Sequence, residues 1–193
     1  MSRAVNPASG TRGRTRRAIL SAAASVLARN RSATLPEIAA AAEVGRTTLH
    51  RYFPDRDGLI SAAIADSLEA IGQAVAEAQI DQGPPREAMR RLVMAHLDVG
   101  DRLMFLFGDP HVMRGHGVVE PDEPHRPDPM IELVERGQAE GVFDRQVSAE
   151  WIQQVLWALV YTGIEEVEKG RMPRHGVAAT VIRTLENGIH AGT

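Results

Sequence analysis

The stretch from residue 34 to residue 53, TLPEIAAAAEVGRTTLHRYF, constrains the fold of this chain more than any other. Its pattern predicts two short helices around a tight turn. Thr34 is a good N-cap because its hydroxyl can accept from a free backbone N–H of the first turn, and Glu37 completes a capping box. Pro36 falls in that first turn, where its missing N–H is not needed. Gly45 can adopt the backbone angles that a turn requires.

The second of these helices, predicted over residues 46–52, has an apolar side and a polar side. Leu49 and Phe53 face inward, toward a small core. The opposite side carries residues that can donate hydrogen bonds to phosphates and base edges, namely Arg46, Thr47, Thr48, His50 and Arg51. This is the arrangement of a helix-turn-helix, in which the second helix enters the major groove of DNA.

Two segments of this region resemble the tetracycline-repressor (TetR) family. RTTLHRYFPDRDGLI, residues 46–60, resembles the recognition helix of that family and the start of the next helix, and IAAAAEV, residues 38–44, resembles its second helix. The resemblance extends from Arg14 to Ala65 and departs from the family at Gly45 and His50, where serine and tyrosine are usual. It implies a DNA-binding set of Thr34, Arg46, Thr47, Thr48, His50, Arg51, Tyr52 and Arg56.

Charge is distributed unevenly along the chain, although the net charge is only −3. Residues 1–56 contain ten arginines and three acidic residues, a net charge of +7, whereas residues 57–193 carry a net charge of −10. A basic end joined to an acidic body indicates a nucleic-acid-binding end whose body is not attracted to phosphate. The chain contains no cysteine, which excludes disulfides and thiolate metal sites and suits a reducing cytoplasm.

The N-terminal region has an alternative interpretation as a signal peptide, because RTRR at residues 14–17 precedes the apolar run AILSAAASVLA. The apolar residues of that run follow helical spacing, however, and this predicts a helix over residues 14–30. No apolar run reaches the roughly 18 residues of a membrane span, so we expect a cytoplasmic protein. Residues 1–13 are expected to form a flexible basic tail, either frayed or touching the minor groove of DNA.

The spacing of apolar residues and helix breakers predicts an all-α chain of about nine helices. Residues 14–57 are expected to form a three-helix DNA-binding domain whose core includes Ile19, Val26, Leu27, Ile38, Val44, Leu49 and Phe53. Residues 58–193 are expected to form a helical effector-binding and dimerisation domain. Within it, Gly100 is expected to kink a helix, and the proline-rich segment 108–128 predicts a long loop with at most one short helix.

The segment from residue 151 to residue 164 is apolar nearly all round, so it must be covered on both sides. Together with the predicted helix over residues 173–191 it could form a four-helix dimer interface, which is how TetR-like proteins dimerise. The alternative is that both helices belong to the core of one chain. The predicted interface residues are Trp151, Val155, Leu159, Val181, Leu185 and Ile189.

An apolar ligand pocket is expected between the helices of the body, with methionines that adapt to varied ligand shapes. The alternative for each lining residue is that it packs the core. The predicted lining residues are Met94, Leu97, Phe105, Met130, Leu133, Trp157 and Tyr161.

Catalytic and metal-binding patterns are weak in this sequence. His111, His116 and His125 share one loop with several carboxylates, but their spacing matches no tight metal site. The motifs of serine hydrolases, zinc proteases and phosphate-binding loops do not occur. We therefore expect no metal, no cofactor and no enzymatic activity.

These patterns lead to one main interpretation and two alternatives. The chain is expected to be a homodimeric repressor that a small ligand releases from a palindromic DNA operator. The first alternative keeps the DNA-binding role but places control with a partner protein or with abundance. The second is a helical enzyme or carrier whose basic end is incidental.

Overall fold

A computed structural model describes residues 7–108 and 128–189. Within these residues the chain contains nine α-helices, one short 3-10 turn and no strand, so the all-α prediction is confirmed. The helices are α1 (Pro7–Arg29), α2 (Leu35–Ala41), α3 (Arg46–Tyr52), α4 (Arg56–Glu77), α5 (Pro85–Asp98), α6 (Gly100–Phe107), α7 (Pro129–Ala139), α8 (Ala149–Glu168) and α9 (Val177–Ile189), the last preceded by the 3-10 turn Arg174–Gly176.

The chain divides into two compact units, and it passes between them inside α4, after Ile71. The described part of the first unit comprises residues 7–71 and 101–108. Its core is formed by α1, α2 and α3 with the start of α4 and the end of α6, so this unit extends well beyond residue 57. The buried side chains at its centre include Ile19, Leu20, Leu27, Ile38, Leu49, Leu59, Ile64 and Phe105.

The second unit comprises residues 72–100 and 128–189 of the described chain and is built from α5, α7, α8 and α9 with the end of α4. Its core contains Leu92, Val134, Ile152, Leu156 and Leu185. Helix α9 packs closely on α8, because Gly163 of α8 leaves room for two valines of α9: a Cβ on Gly163 would lie only 2.7 Å from Val177 Cγ2 and 3.1 Å from Val181 Cγ2.

The helix starts follow the capping rules that the sequence suggested. At α2, the Thr34 Oγ1 atom accepts from the backbone N–H of Glu37 at 3.5 Å, and the Glu37 carboxylate accepts from the backbone N–H of Thr34 at 2.6 Å. The Asp55 side chain accepts from the backbone N–H of Gly58 at 2.7 Å, which fixes the start of α4. Ser148 caps α8 through the N–H of Trp151 in the same way.

Three local expectations are corrected by the structure. Helix α1 begins at Pro7, so residues 7–13 are helical and are not part of a flexible tail. The residue with left-handed backbone angles in the turn before α3 is Glu43, at φ 55°, whereas Gly45 is an ordinary extended N-cap residue at φ −67°. The kink expected at Gly100 is a complete break, because α5 ends at Asp98 and α6 begins at Gly100.

Other expectations fall outside the described residues. They are the tail over residues 1–6 and the loop that holds His111, His116 and His125, together with its expected short helix.

Helix α4 has the length and hydropathy of a membrane span, the one such helix in the described residues. Its first half packs in the first unit. Leu59, Ala63 and Ile64 are buried there, and Asp66 forms an ion pair with Arg102 at 2.6 Å.

Candidate nucleic-acid interface

Helix α3 divides into a buried side and an exposed side, as its sequence predicts. Leu49 is 2% exposed and Phe53, directly after the helix, is 6% exposed, so both anchor α3 in the core of the first unit. The opposite side exposes Arg46, Thr47, His50 and Arg51, whereas Thr48 and Tyr52 are half-buried.

The exposed side of α3 borders an open groove of about 640 Å³ that runs beside the start of α2. Leu35, Pro36 and Leu49 contribute apolar lining to this groove. Arg46 and Arg51 add two cations to the lining, and the Arg51 guanidinium lies 5.6 Å from the centre of the Tyr52 ring. Cations beside apolar groups suit a DNA backbone, which combines charged phosphates with partly apolar sugars.

Arg56 was predicted to meet DNA, but its guanidinium is bound within the chain. It donates to the backbone carbonyl of Ala33 and, at 2.7 Å, to the carbonyl of Arg31. Arg31 in turn donates to the carbonyls of Phe105 at 2.6 Å and Met104 at 2.9 Å, at the end of α6. These two arginines connect α4, the loop after α1 and the end of α6 inside the first unit.

Thr34 is also engaged inside the chain. Its hydroxyl donates to the Glu37 carboxylate at 2.7 Å, and these hydrogen bonds hold the pKa of Glu37 below its usual value. The capping role of Thr34 is confirmed, whereas contacts of Thr34 and Arg56 with DNA stay predictions.

The residues predicted to line a ligand pocket have different environments. Met130 and Leu133 are buried in the second unit, Leu97 and Trp157 are half-buried, and Met94 and Tyr161 are exposed. Phe105 is 1% exposed in the core of the first unit. The pocket as a whole stays a prediction.

The predicted dimer face needs a correction on α9. Val181 and Leu185 are 3% and 1% exposed because they pack on the other helices of their own unit, so they have almost no surface left for a partner. On α8, Trp151 is 61% exposed and Val155 and Leu159 are half-buried.

The side of α9 that remains exposed carries the small residues Thr180, Thr184 and Gly188. The side chain of Ile189 lies outside what the structure describes.

His96 is a buried polar residue to which the sequence interpretation assigned no role. It is 2% exposed, and burial lowers its pKa from 6.5 to about 4, with a smaller opposing effect from Asp128. A signal was available, because His96 continues the helical spacing of the apolar residues Met89, Leu92 and Val93 on α5.

Comparison with known proteins finds one family and close relatives. Residues 19–63 match the family described as bacterial regulatory proteins, tetR family. The HTH-type transcriptional repressor LfrR of Mycolicibacterium smegmatis is 36% identical over 185 residues, which cover 94% of this chain and 93% of LfrR. The HTH-type transcriptional regulator NfxB of Pseudomonas aeruginosa is 30% identical over 167 residues, which cover 81% of this chain and 84% of NfxB.

Solved structures agree with these relatives. The crystal structure of the TetR-like transcriptional regulator LfrR from Mycobacterium smegmatis superimposes with a TM-score of 0.73 and 33% identity, covering 93% of this chain and 98% of that one. The structure of LfrR in complex with proflavine has a TM-score of 0.68 and 34% identity, with the same coverage. The similarity therefore includes both units of the chain.

Proposed function

We propose that this chain, which belongs to the TetR family of bacterial transcriptional regulators, is a homodimeric repressor that a small ligand releases from a two-fold symmetric operator. The DNA-binding role is supported by the arrangement of buried and exposed residues on α3. Its inner side is held by Leu49, and its outer side presents Arg46, Thr47 and His50 to solvent. A short helix anchored this way can enter a major groove without rearrangement.

Phosphate contacts position such a protein and base contacts give it sequence specificity. The side chains of Arg46 and Thr47 form no hydrogen bond to the described part of the chain, so both are available to DNA. Arg46 suits guanine or phosphate, and the Thr47 hydroxyl and methyl suit a base edge. His50 and Tyr52 complete the set of α3 side chains that we propose contact the DNA.

The proposed dimer uses the exposed sides of α8 and α9. Trp151, Val155 and Leu159 supply apolar area, and Thr180, Thr184 and Gly188 allow a second copy to approach closely. A two-fold dimer requires two operator half-sites about one helical turn apart, roughly 34–36 Å, or a multiple of that distance. This separation is a geometric expectation that the operator sequence tests.

Selection of bound fragments from genomic DNA with the full-length chain tests the DNA-binding role. We expect enrichment of a palindrome, including DNA beside the gene for this chain, and a specific gel shift with that fragment. Arg46→Ala is expected to weaken the shift, whereas Arg174→Ala, which changes an exposed arginine of the second unit, is expected to leave the shift unchanged. Enrichment of no common sequence would contradict the proposal.

The ligand class follows from LfrR, whose structure includes proflavine. We expect this chain to release its operator when an aromatic cation of that kind binds the second unit. A planar cation also binds DNA directly, so release must be compared with a second-unit variant that binds the operator but not the ligand. Release that is equal for both proteins would show an effect on the DNA alone.

A further inference from the structure

His96 of α5 is buried against an aromatic partner inside the second unit. It is 2% exposed, and its ring stacks on the indole of Trp157 in α8 with ring centres 4.7 Å apart and planes inclined by 28°. Burial lowers the pKa of His96 to about 4, so the imidazole is neutral at pH 7. A neutral imidazole has one N–H donor and one bare nitrogen that accepts a hydrogen bond.

The Nδ1 atom of His96 is buried and has no hydrogen-bond partner within residues 7–108 and 128–189. Most buried polar atoms in folded proteins are paired, because an unpaired one costs free energy. A phenylalanine ring would stack on Trp157 without this cost. An N–H group of a bound ligand would complete the hydrogen bond that Nδ1 lacks.

Asp128, at the start of α7, adds negative charge near this pair. Its Oδ1 atom accepts from the backbone N–H of Met130 at 2.8 Å, and its Oδ2 atom accepts from Nε2 of Gln153 at 2.6 Å. Gln153 lies one turn before Trp157, so the amide and the indole occupy the same side of α8. The carboxylate also acts electrostatically on the His96 ring. Negative charge beside an aromatic surface favours a cationic aromatic ligand.

We propose that His96 determines ligand specificity by accepting a hydrogen bond at Nδ1 from an N–H group of a planar aromatic cation. This inference rests on the proposed release by a small ligand and names the chemistry that the site selects. Trp157 supplies aromatic surface, Asp128 supplies charge, and His96 supplies the directional hydrogen bond. Because the His96 ring is neutral, it does not repel a cation.

Calorimetric titration of the full-length chain with proflavine, in the absence of DNA, tests this assignment. We expect His96→Phe to weaken binding about 10- to 100-fold, the usual effect of losing a hydrogen bond to a charged group. His96→Asn returns an oxygen acceptor near the position of Nδ1 and is expected to recover part of the affinity. His175→Phe, which changes an exposed histidine, is the matched control and is expected to bind as wild type does.

A second measurement separates recognition from packing. Removing an unpaired buried nitrogen should leave the melting temperature of His96→Phe unchanged or raise it by a few degrees. If His96→Phe binds proflavine with wild-type affinity, the inference is wrong and the nitrogen is satisfied by water or tolerated as a structural cost. If the wild-type chain does not bind proflavine, the assigned ligand class is wrong.

The same proteins are tested on operator DNA, so that the two proposals can fail separately. Binding of proflavine that depends on His96 but does not release the operator would leave the site in place and contradict the proposed function. Release of the operator that exceeds the direct effect of proflavine on the DNA, with equal affinity for proflavine in wild type and His96→Phe, would support the proposed function and contradict the role of His96.

Discussion

The burial of His96 should make the stability of the protein depend on pH. Its pKa is about 4 in the folded chain, against an ordinary value of 6.5. Between these two values the unfolded chain binds more protons than the folded chain, so the free energy of unfolding falls as the pH falls. The full loss contributed by His96 is about 3 kcal/mol and is complete only about one unit below pH 4.

Urea unfolding at pH 7 and at pH 4.5 measures this loss. Carboxylates also titrate in this range, so the informative quantity is the difference between wild type and His96→Phe. We expect the variant to lose less stability than wild type over the interval, and the exposed His175→Phe to behave as wild type does. Equal losses for all three proteins would show that His96 is protonated as readily in the folded chain as in the unfolded one.

Arg46 and Arg56 belong to the same unit but should respond differently to substitution. Arg46 is exposed, so Arg46→Ala should reduce the salt dependence of operator binding by about one unit and leave stability unchanged. Arg56 donates to the carbonyls of Ala33 and Arg31, so Arg56→Ala should lower the free energy of unfolding by about 1–3 kcal/mol. Salt titrations and urea unfolding distinguish the two effects. A fully stable Arg56→Ala with a reduced salt slope would favour a phosphate contact for Arg56 instead.

At the scale of single elements, the capped start of α2 and the bounds of α3 could be predicted because local rules define them. The capping box at Thr34, the spacing of Leu49 and Phe53, and the stop at Pro54 all lie within about twenty residues. The carbonyl partners of Arg56 are 23 and 25 residues away, and no local pattern connects them. Long-range hydrogen bonds to backbone carbonyls are therefore the part of this site that could not be predicted from the sequence.

The same limit explains the correction on α9. Helical spacing identifies Val181 and Leu185 as apolar and inward-facing, but it does not say whether their own chain or a second chain covers them. Gly163 determines that α8 of the same chain covers this side of α9. Because Gly163 has no side chain, α9 can approach α8 until Val177 and Val181 pack against it. The remaining apolar side of α8, around Trp151, is still the predicted interface.

Two glycines provide a matched test of element packing. A Cβ on Gly137 of α7 would lie 2.1 Å from Cδ2 of Phe143, whose backbone N–H donates to the Gly137 carbonyl. Gly137→Ala must displace the ring and is expected to lower the free energy of unfolding by about 1–3 kcal/mol. Gly72 lies inside α4 with open space at the Cβ position, so Gly72→Ala should raise stability by about 1 kcal/mol. Thermal unfolding that shows the same sign for both changes would contradict this packing.

At the scale of the whole molecule, oligomeric state tests the proposed interface. Trp151 is 61% exposed, so Trp151→Glu should leave the fold intact, produce monomers and weaken operator binding. Leu185 is 1% exposed, so Leu185→Glu should unfold the second unit instead of yielding folded monomers. Sedimentation equilibrium with circular dichroism separates these outcomes. A dimeric Trp151→Glu with full operator affinity would exclude this face of α8.

The final prediction concerns the coupling of ligand and operator through α4, which continues from the first unit into the second after Ile71. A ligand shifts the DNA-binding equilibrium only by the difference between its affinities for the two arrangements of the chain. A coupling of about 1–3 kcal/mol would lower operator affinity some 5- to 150-fold, and operator DNA must then weaken ligand binding by the same factor.

Titrating proflavine into the protein alone and into the protein–operator complex measures this reciprocity, with free operator titrated separately to subtract binding of the ligand to DNA. Leu97→Trp places a large ring on the half-buried side of α5. If ligand binding in the second unit is coupled to DNA binding by α3, Leu97→Trp should either resist release from the operator by the ligand or bind the operator weakly without ligand. Suppose that ligand affinity is equal with and without operator and that Leu97→Trp binds the operator normally. Ligand binding in the second unit would then not control α3. Control of the repressor would have to act on the first unit or on the amount of protein.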